Sequence, residues 1–373
     1  MNTVSATRGK YKKRGYMAVT GSAVKDTTLR VGPLTNLPEL VRSLGLDPQP
    51  LFRQCGMQLA TFANPDNRLP FIATSRLIER CAEATGVDHL GLLLGQMGTA
   101  SHLGLPGFIL RTAPTARDAL CDLVNYLDLH DQGGIVSLKL GDDHSTLSYS
   151  LLLAGTCAVE QIYDLSAVMM YNVLKGVCGR DWQPDNIYLA RRQPRDIGPY
   201  QQFFNTRIYF NAPESAVTFQ SRWLDAVPES HDQLLHEHLE EEARILHESN
   251  KRDLIEQLPA CLHRALLTGQ FSSQQVAASL GMHERTLHRR LNAADTSFRH
   301  ELDRARKTLS EELLAGTNLN VCDIATTLGY SDSSGFIRAF QRWSNISPSA
   351  WRREHQRDTG AEHTVTATSS TNG

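Results

Sequence analysis

The residues best equipped for chemistry are hydrogen-bond donors gathered in two short stretches near the C-terminal end. In the first, Arg285, Arg289 and Asn292 fall on one side of a helix at about 100° per residue, with Thr286 beside them and His288 on the flank. Leu287 and Leu291 fall on the opposite side. In the second, Ser334, Arg338 and Gln341 face away from Phe336, Phe340 and Trp343, with Ser333, Ile337 and Arg342 alongside. Arginine pairs with guanine O6 and N7 through two parallel hydrogen bonds, and Ser, Asn and Gln read base edges or phosphates. Both outward sets are nearly free of carboxylates, so neither repels a polyanion. The plain alternative is two helical hairpins with solvated basic faces.

The elements needed to hold these helices repeat as well. Val276, Ala277, Leu280 and Gly281 recur in register as Ile324, Ala325, Leu328 and Gly329. Leu287, Arg289 and Leu291 recur, after a slip of one residue, as Phe336, Arg338 and Phe340. Each copy is a short apolar-faced helix, a glycine turn and a second helix carrying arginine, the layout of a helix-turn-helix whose second helix enters the major groove. Gly281 and Gly329 suit a turn conformation that is costly for residues with a Cβ. Two copies in register weigh against coincidence far more than one would.

Between the copies, Phe298, Leu302, Ala305, Leu309 and Leu313 stripe one linker helix over 297–314, with Glu301, Arg304, Lys307 and Glu311 on its solvated side. Ser272 with Gln275 forms a capping box before the first copy, and Ser347-Pro348 starts a closing helix carrying Trp351, Arg352 and Arg353. Leu254, Leu258, Leu262 and Leu266 stripe a further helix upstream.

The motifs RTLHRRL (285–291), FRHELDRARKTLSEELL (298–314) and DIATTLGYSDSSGFIRAFQRWSNISPSAWRRE (323–354) resemble the DNA-binding domain of the AraC/XylS family of bacterial transcription regulators. The resemblance implies seven helices, with helix-turn-helix units over 273–292 and 321–343 separated by the linker helix. It places base-facing positions on Arg285, His288 and Arg289, and on Ser333, Ser334, Ile337 and Arg338. Ile337 offers only an apolar contact, such as with a thymine methyl. Asn345 stands where the family usually has glycine; asparagine tolerates the left-handed conformation best after glycine, so the turn is expected to persist.

Composition fits a reader attached to an acidic body. The net charge of −2 over 373 residues conceals an excess of three basic residues in 271–357, an excess of six in 1–30, and an excess of nine acidic residues in 31–270. The seven cysteines are scattered and odd in number, with no CxxC pair, which argues against a disulfide framework or zinc cluster and for a reducing cytosol; each is expected to be a small buried residue. No apolar run approaches the roughly 18 residues of a membrane-spanning helix, and the basic N-terminus lacks the apolar core of a signal peptide. Residues 1–30 read as a disordered basic leader and 358–373 as a disordered tail.

The body, 31–249, reads as α+β. Helical periodicity covers Leu37–Leu44, Ile72–Ala84, Leu90–Gln96, Ala116–Leu129 and Ala158–Val177. Alternating runs Ile135–Leu140 and Thr146–Leu153 flank the Gly141-Asp142-Asp143 turn as a hairpin, and strands are expected at Asn186–Ala190 and Val217–Gln220. LPFIATSRLIERCAEATG, HLGLLLG and GLPGFILRTAPTARDAL resemble the N-terminal domain of the ornithine-utilisation-regulator subgroup, an arabinose-binding-type domain, and not the all-β sugar-binding cupin of the arabinose regulator. That resemblance implies binding of a small-molecule effector of unknown identity and self-association.

No GxSxG, GxxxxGK, GxGxxG or HExxH motif is present, so no enzyme is indicated. His236 and His238 lie about 200° apart on a helix and cannot share a metal; with His231, His247 and Glu237, Glu240, Glu241 and Glu242 they read as a solvated acidic connector. Arg111, Tyr126, Tyr163 and Tyr200 are polar candidates for a pocket, each equally readable as core or surface. The sequence therefore points to a cytoplasmic, sequence-specific regulator of double-stranded DNA in two domains, an α+β effector and dimerisation domain followed by an all-α reader over 250–357. By family it implies an activator, a homodimer and contact with RNA polymerase, with no cofactor and no metal. The alternatives are an N-terminal domain that only dimerises, and, more remotely, an enzyme fused to a reader.

Overall fold

The computed structural model describes residues 27–152, 159–249, 254–280 and 282–361. The chain enters through β1 (Thr28–Arg30), then α1 (Leu37–Ser43) and α2 (Pro48–Gln54). Asp47 caps α2, its carboxylate accepting from the Gln49 amide, with Pro48 at the first helical position. β2 (Arg68–Pro70) pairs antiparallel with β1 and runs into α3 (Phe71–Thr85), followed by α4 (Leu90–Gln96), α5 (Leu105–Thr112) and α6 (Ala116–Tyr126), the last capped by Thr115.

β3 (Gly134–Lys139) and β4 (His144–Leu151) form the expected hairpin, with Val136 opposite Tyr149. The long helix α7 (Glu160–Cys178) follows, then β5 (Asn186–Leu189), α8 (Gly198–Phe204), β6 (Arg207–Phe210) and β7 (Ser215–Gln220). The five strands order as β3-β4-β7-β5-β6, antiparallel except for the β5/β6 pair, whose parallel crossover is made through α8. α7 packs across this sheet and against α4. The approach to α4 is close: a Cβ at Gly91 would strike the Gln161 carbonyl, while the Gly91 amide donates to Gln161 Oε1 at 2.8 Å. A buried Arg191 is neutralised by the Asp164 carboxylate and bonds the Tyr200 hydroxyl at 2.6 Å, which is what makes its burial tolerable.

α9 (Gln233–Ser249) is less solvated than its acidic sequence suggests. Ala243 is buried and Leu239 packs with it against Ile109 and Tyr126. His236 is also buried, its Nε2 lying 3.6 Å from Asp122, whose pKa burial raises to about 7. Leu234, Leu235, Ile245 and Leu246 remain exposed on the same helix.

The C-terminal helices are α10 (Leu254–Thr268), α11 (Ser273–Ser279), α12 (Glu284–Ala293), α13 (Phe298–Gly316), α14 (Val321–Thr327), α15 (Ser333–Ser344) and α16 (Pro348–Ala361). They enclose their own core, in which Leu258, Leu262, Val276, Leu309, Phe340 and Trp351 are buried. This unit touches the sheet-bearing part where α10 lies against β3. Arg192 also donates to the Ala315 carbonyl at 2.6 Å, and the Asn318 amide to Asn211 Oδ1 at 3.1 Å.

Several expectations need correction. Residues 28–30, assigned to a leader, are fixed as β1 by pairing with β2, and residues 358–361, assigned to a tail, continue α16; residues 1–26 and 362–373 lie outside the described residues. Cys121 and Cys322 are exposed rather than buried, and Cys157 lies outside the described residues. Among the described residues no helix is long and apolar enough to cross a membrane, and no group of three or more His, Cys, Asp or Glu is placed to hold a metal ion.

Candidate DNA interface

The first reader pairs α11 with α12. Ser272 and Gln275 close the capping box at the start of α11, and His283 caps α12, its Nδ1 accepting from the Arg285 amide at 3.3 Å. Glu284 ties the two helices together by accepting from Ser273, a bond that lowers its pKa. Leu287 and Leu291 are fully buried, which turns Arg285, His288, Arg289 and Asn292 outward; all four are exposed, and Thr286 is half-buried. The His288 ring lies 3.7 Å from Glu284 and edge-on to Phe298. Gly281 lies outside the described residues.

The second reader pairs α14 with α15 in the same arrangement. Asn320 caps α14 and Asp332 caps α15, the latter accepting from the Gly335 amide at 2.7 Å; that bond holds its carboxyl below the usual range. Phe336 and Phe340 are fully buried, leaving Ser334, Arg338 and Gln341 exposed and Ser333 and Ile337 half-buried. Gly329 has φ +75°, and a Cβ there would collide with the Phe271 ring, so the turn requires glycine on both counts. Asn345 ends α15 at φ 60°, so the left-handed turn persists without glycine.

Arg342 is exposed but not aimed like Arg338: its Nη2 sits 3.2 Å from Asp303 on α13. Asp303 also faces Arg306 at 3.8 Å. Arg306 donates from Nε to the Leu328 carbonyl at 3.0 Å, and its guanidinium lies over the rings of Phe271 and Tyr330. Arg352 on α16 bonds the Leu314 and Leu319 carbonyls, holding the far end of α13. The linker helix is thus clamped by polar contacts that the apolar stripe does not signal. Glu301, expected on its solvated side, is buried, accepting from Thr296 at 2.6 Å and Arg304 at 2.9 Å.

The four polar candidates in the body serve other ends. Arg111 is exposed and bonds Ser101 and Ser230, Tyr126 packs beneath α9, Tyr163 is core, and Tyr200 belongs to the Arg191 cluster. None of them lines the apolar cavity between α6, α7 and the hairpin; His130, Asp131 and Tyr149 do. Sequence spacing held no signal for that cavity, because its wall is drawn from segments far apart in the chain.

Comparison with known proteins agrees with both halves. Residues 45–227 match the arabinose-binding domain of AraC transcription regulator, N-term, and residues 276–354 match a helix-turn-helix domain. The chain is 26% identical over 320 residues to the ornithine utilization regulator of Pseudomonas aeruginosa, covering 85% of this chain and 94% of that protein. It is 24% identical over 330 residues to the HTH-type transcriptional regulator VirS of Mycobacterium tuberculosis, covering 87% and 96%. Over 82 residues, 22% of this chain and 24% of the other, it is 38% identical to the transcriptional activator NphR of Rhodococcus. With an N-terminal arabinose-binding-type domain, a C-terminal helix-turn-helix unit and regulators of this type matched over most of its length, the chain belongs to the AraC family of DNA-binding transcription regulators.

Proposed function

We propose that this regulator is a cytoplasmic activator that reads a bipartite operator with α12 and α15 and is switched by a small molecule bound in its N-terminal part. The division we infer is an effector and dimerisation unit over 31–249 and a reader over 250–357. Base reading is assigned to Arg285, His288, Arg289 and Asn292 in one half, with Thr286 beside them, and to Ser333, Ser334, Ile337, Arg338 and Gln341 in the other. Arg342 braces the second helix through Asp303 and is assigned a phosphate at most. The observation that carries this reading is the twofold recurrence of one arrangement, buried Leu287 and Leu291 or Phe336 and Phe340 beneath an exposed donor face. Self-association is supported by the exposed Leu234, Leu235, Ile245 and Leu246 on α9. Activation is supported by the relative named a transcriptional activator; RNA polymerase is the partner that the family resemblance implies.

A route from effector to reader is available through β3, which contributes Val136 to the cavity and packs against α10. The test is capture of genomic DNA by the purified chain followed by sequencing. A motif of two half-sites one helical turn apart, about 10–10.5 base pairs, is expected. A single half-site, or no enriched motif, would defeat the two-reader proposal.

A further inference from the structure

The N-terminal part contains an apolar cavity between α6, α7 and the β3–β4 hairpin, with a free volume of about 70 Å³. Leu34, Phe71, Leu123, Met169 and Met170 supply much of its wall. An engineered cavity of about 150 Å³ admits benzene, so this space takes a six-membered ring only if the wall yields. Met169 and Met170 are the side chains suited to yielding, being unbranched and tolerant of several rotamers.

Four polar residues lie on the wall, His130, Asp131, Tyr149 and Ser166, and the first two decide what fits. The Asp131 carboxylate already accepts three hydrogen bonds, from the Tyr149 hydroxyl at 2.7 Å and from the amides of Gly133 and Gly134 at 2.8 and 3.2 Å. It therefore has little left for a ligand amine. His130 is different. It is 5% exposed, and its Nδ1 is buried without a hydrogen-bond partner among the described residues. Burial, with Arg30 and Arg68 nearby, lowers its pKa to about 3, so the ring is neutral at physiological pH. A buried ring nitrogen left unbonded is a standing penalty that a ligand hydroxyl or N–H relieves.

We infer that this cavity is the effector site and that it takes an uncharged, mostly hydrocarbon molecule no larger than a singly substituted six-membered ring, with one hydroxyl or N–H for His130 Nδ1. The inference rests on the reading of the N-terminal part as a small-molecule sensor and deepens it. It disfavours a free amino acid such as ornithine in this cavity, because its two ammonium groups and its carboxylate would be desolvated against a largely apolar wall whose one carboxylate, Asp131, already accepts three hydrogen bonds.

The experiment uses the full chain with three probes: benzyl alcohol, toluene and L-ornithine. Calorimetric titration and thermal melting should show saturable binding of benzyl alcohol at least tenfold tighter than toluene, and no shift with L-ornithine, since a ligand of the folded state raises the melting temperature by mass action. Histidine-labelled ¹⁵N spectra should show the His130 Nδ1 resonance moving with benzyl alcohol and not with toluene. Met169→Trp, which fills the space, should lose benzyl alcohol binding; if that variant does not fold, the wild-type spectra decide. Equal affinity for benzyl alcohol and toluene, an unmoved His130 resonance, or no saturable binding overturns the inference. A melting shift with L-ornithine also overturns it while leaving the sensor reading standing, so the two failures are distinguishable.

Discussion

The Arg306 guanidinium lies 4.9 Å from the centroid of the Tyr330 ring and 5.4 Å from that of Phe271. One side chain of the linker helix thus touches the turn of the second reader and the segment that leads into the first. The same guanidinium bonds the Leu328 carbonyl, the last of the α14 turn before Gly329. Arg306 therefore ties the linker to both helix pairs by polar and cation–π contacts, in addition to the apolar stripe that packs in the core they share.

Arg306→Ala should consequently weaken binding to the full bipartite operator more than binding to either half-site. A hydrogen bond from a charged donor contributes about 1.5–3 kcal/mol and a cation–π contact about 0.5–2 kcal/mol. Arg306→Lys should recover little, because an ammonium cannot bond Leu328 and cover both rings as a planar guanidinium does. Anisotropy titrations on full and half-sites at fixed salt provide the comparison. Equal losses on all of them would assign Arg306 to general stability alone.

Arg289 sits on the exposed face of α12, opposite buried Leu287 and Leu291. Arg289→Ala should reduce discrimination more than total binding, costing about 1–3 kcal/mol on the operator and much less on random DNA. Parallel titrations on both DNAs measure this. An equal cost on each would place Arg289 on a phosphate.

The helices α12 and α15 and the faces they expose were legible in the sequence because that information is local: Leu287 with Leu291, and Phe336 with Phe340, sit at helical spacing and decide what faces out. The Asn345 turn and the Ser272 capping box were legible for the same reason. Arg306, Glu301 and His130 were not. Each looks like an ordinary polar residue until segments distant in sequence are brought against it, as Leu328 and Tyr330 are against Arg306. The strands β1 and β2 were missed because three residues carry too little periodicity, and pairing with each other rather than propensity fixes them.

A pH dependence follows from His263 on α10, which is 2% exposed and whose pKa burial lowers from 6.5 to about 4. The unfolded chain takes up this proton first as pH falls. The stability that the neutral ring contributes is therefore complete above pH 6.5 and lost on descending to about 4, at about 1.4 kcal/mol per unit. Glu312, whose Oε2 is 4.0 Å away, acts in the opposite sense: burial raises its pKa, so its contribution is present in acid and lost as pH rises. Comparing urea midpoints of wild type and His263→Phe across pH 4–7 isolates the histidine. The variant should show a flatter acid limb, and parallel limbs would contradict the assignment.

Leu309 lies in the middle of α13 and is 1% exposed, packed in the core that both readers share. Leu309→Pro removes one helical hydrogen bond and drives the ring into the preceding turn, at about 3 kcal/mol or more. The kink also redirects α15 relative to α12, so the two helices no longer reach successive major-groove segments of straight DNA together. Affinity for the bipartite operator should fall to that of a single half-site, with half-site binding by the first reader nearly kept. Leu309→Met conserves most of the volume and the helix and should cost under about 1.5 kcal/mol in stability with little change in affinity. Circular dichroism establishes that the proline variant retains its helices before anisotropy is compared. A folded Leu309→Pro protein that binds the full operator as tightly as wild type would show that only one of the two repeats reads DNA.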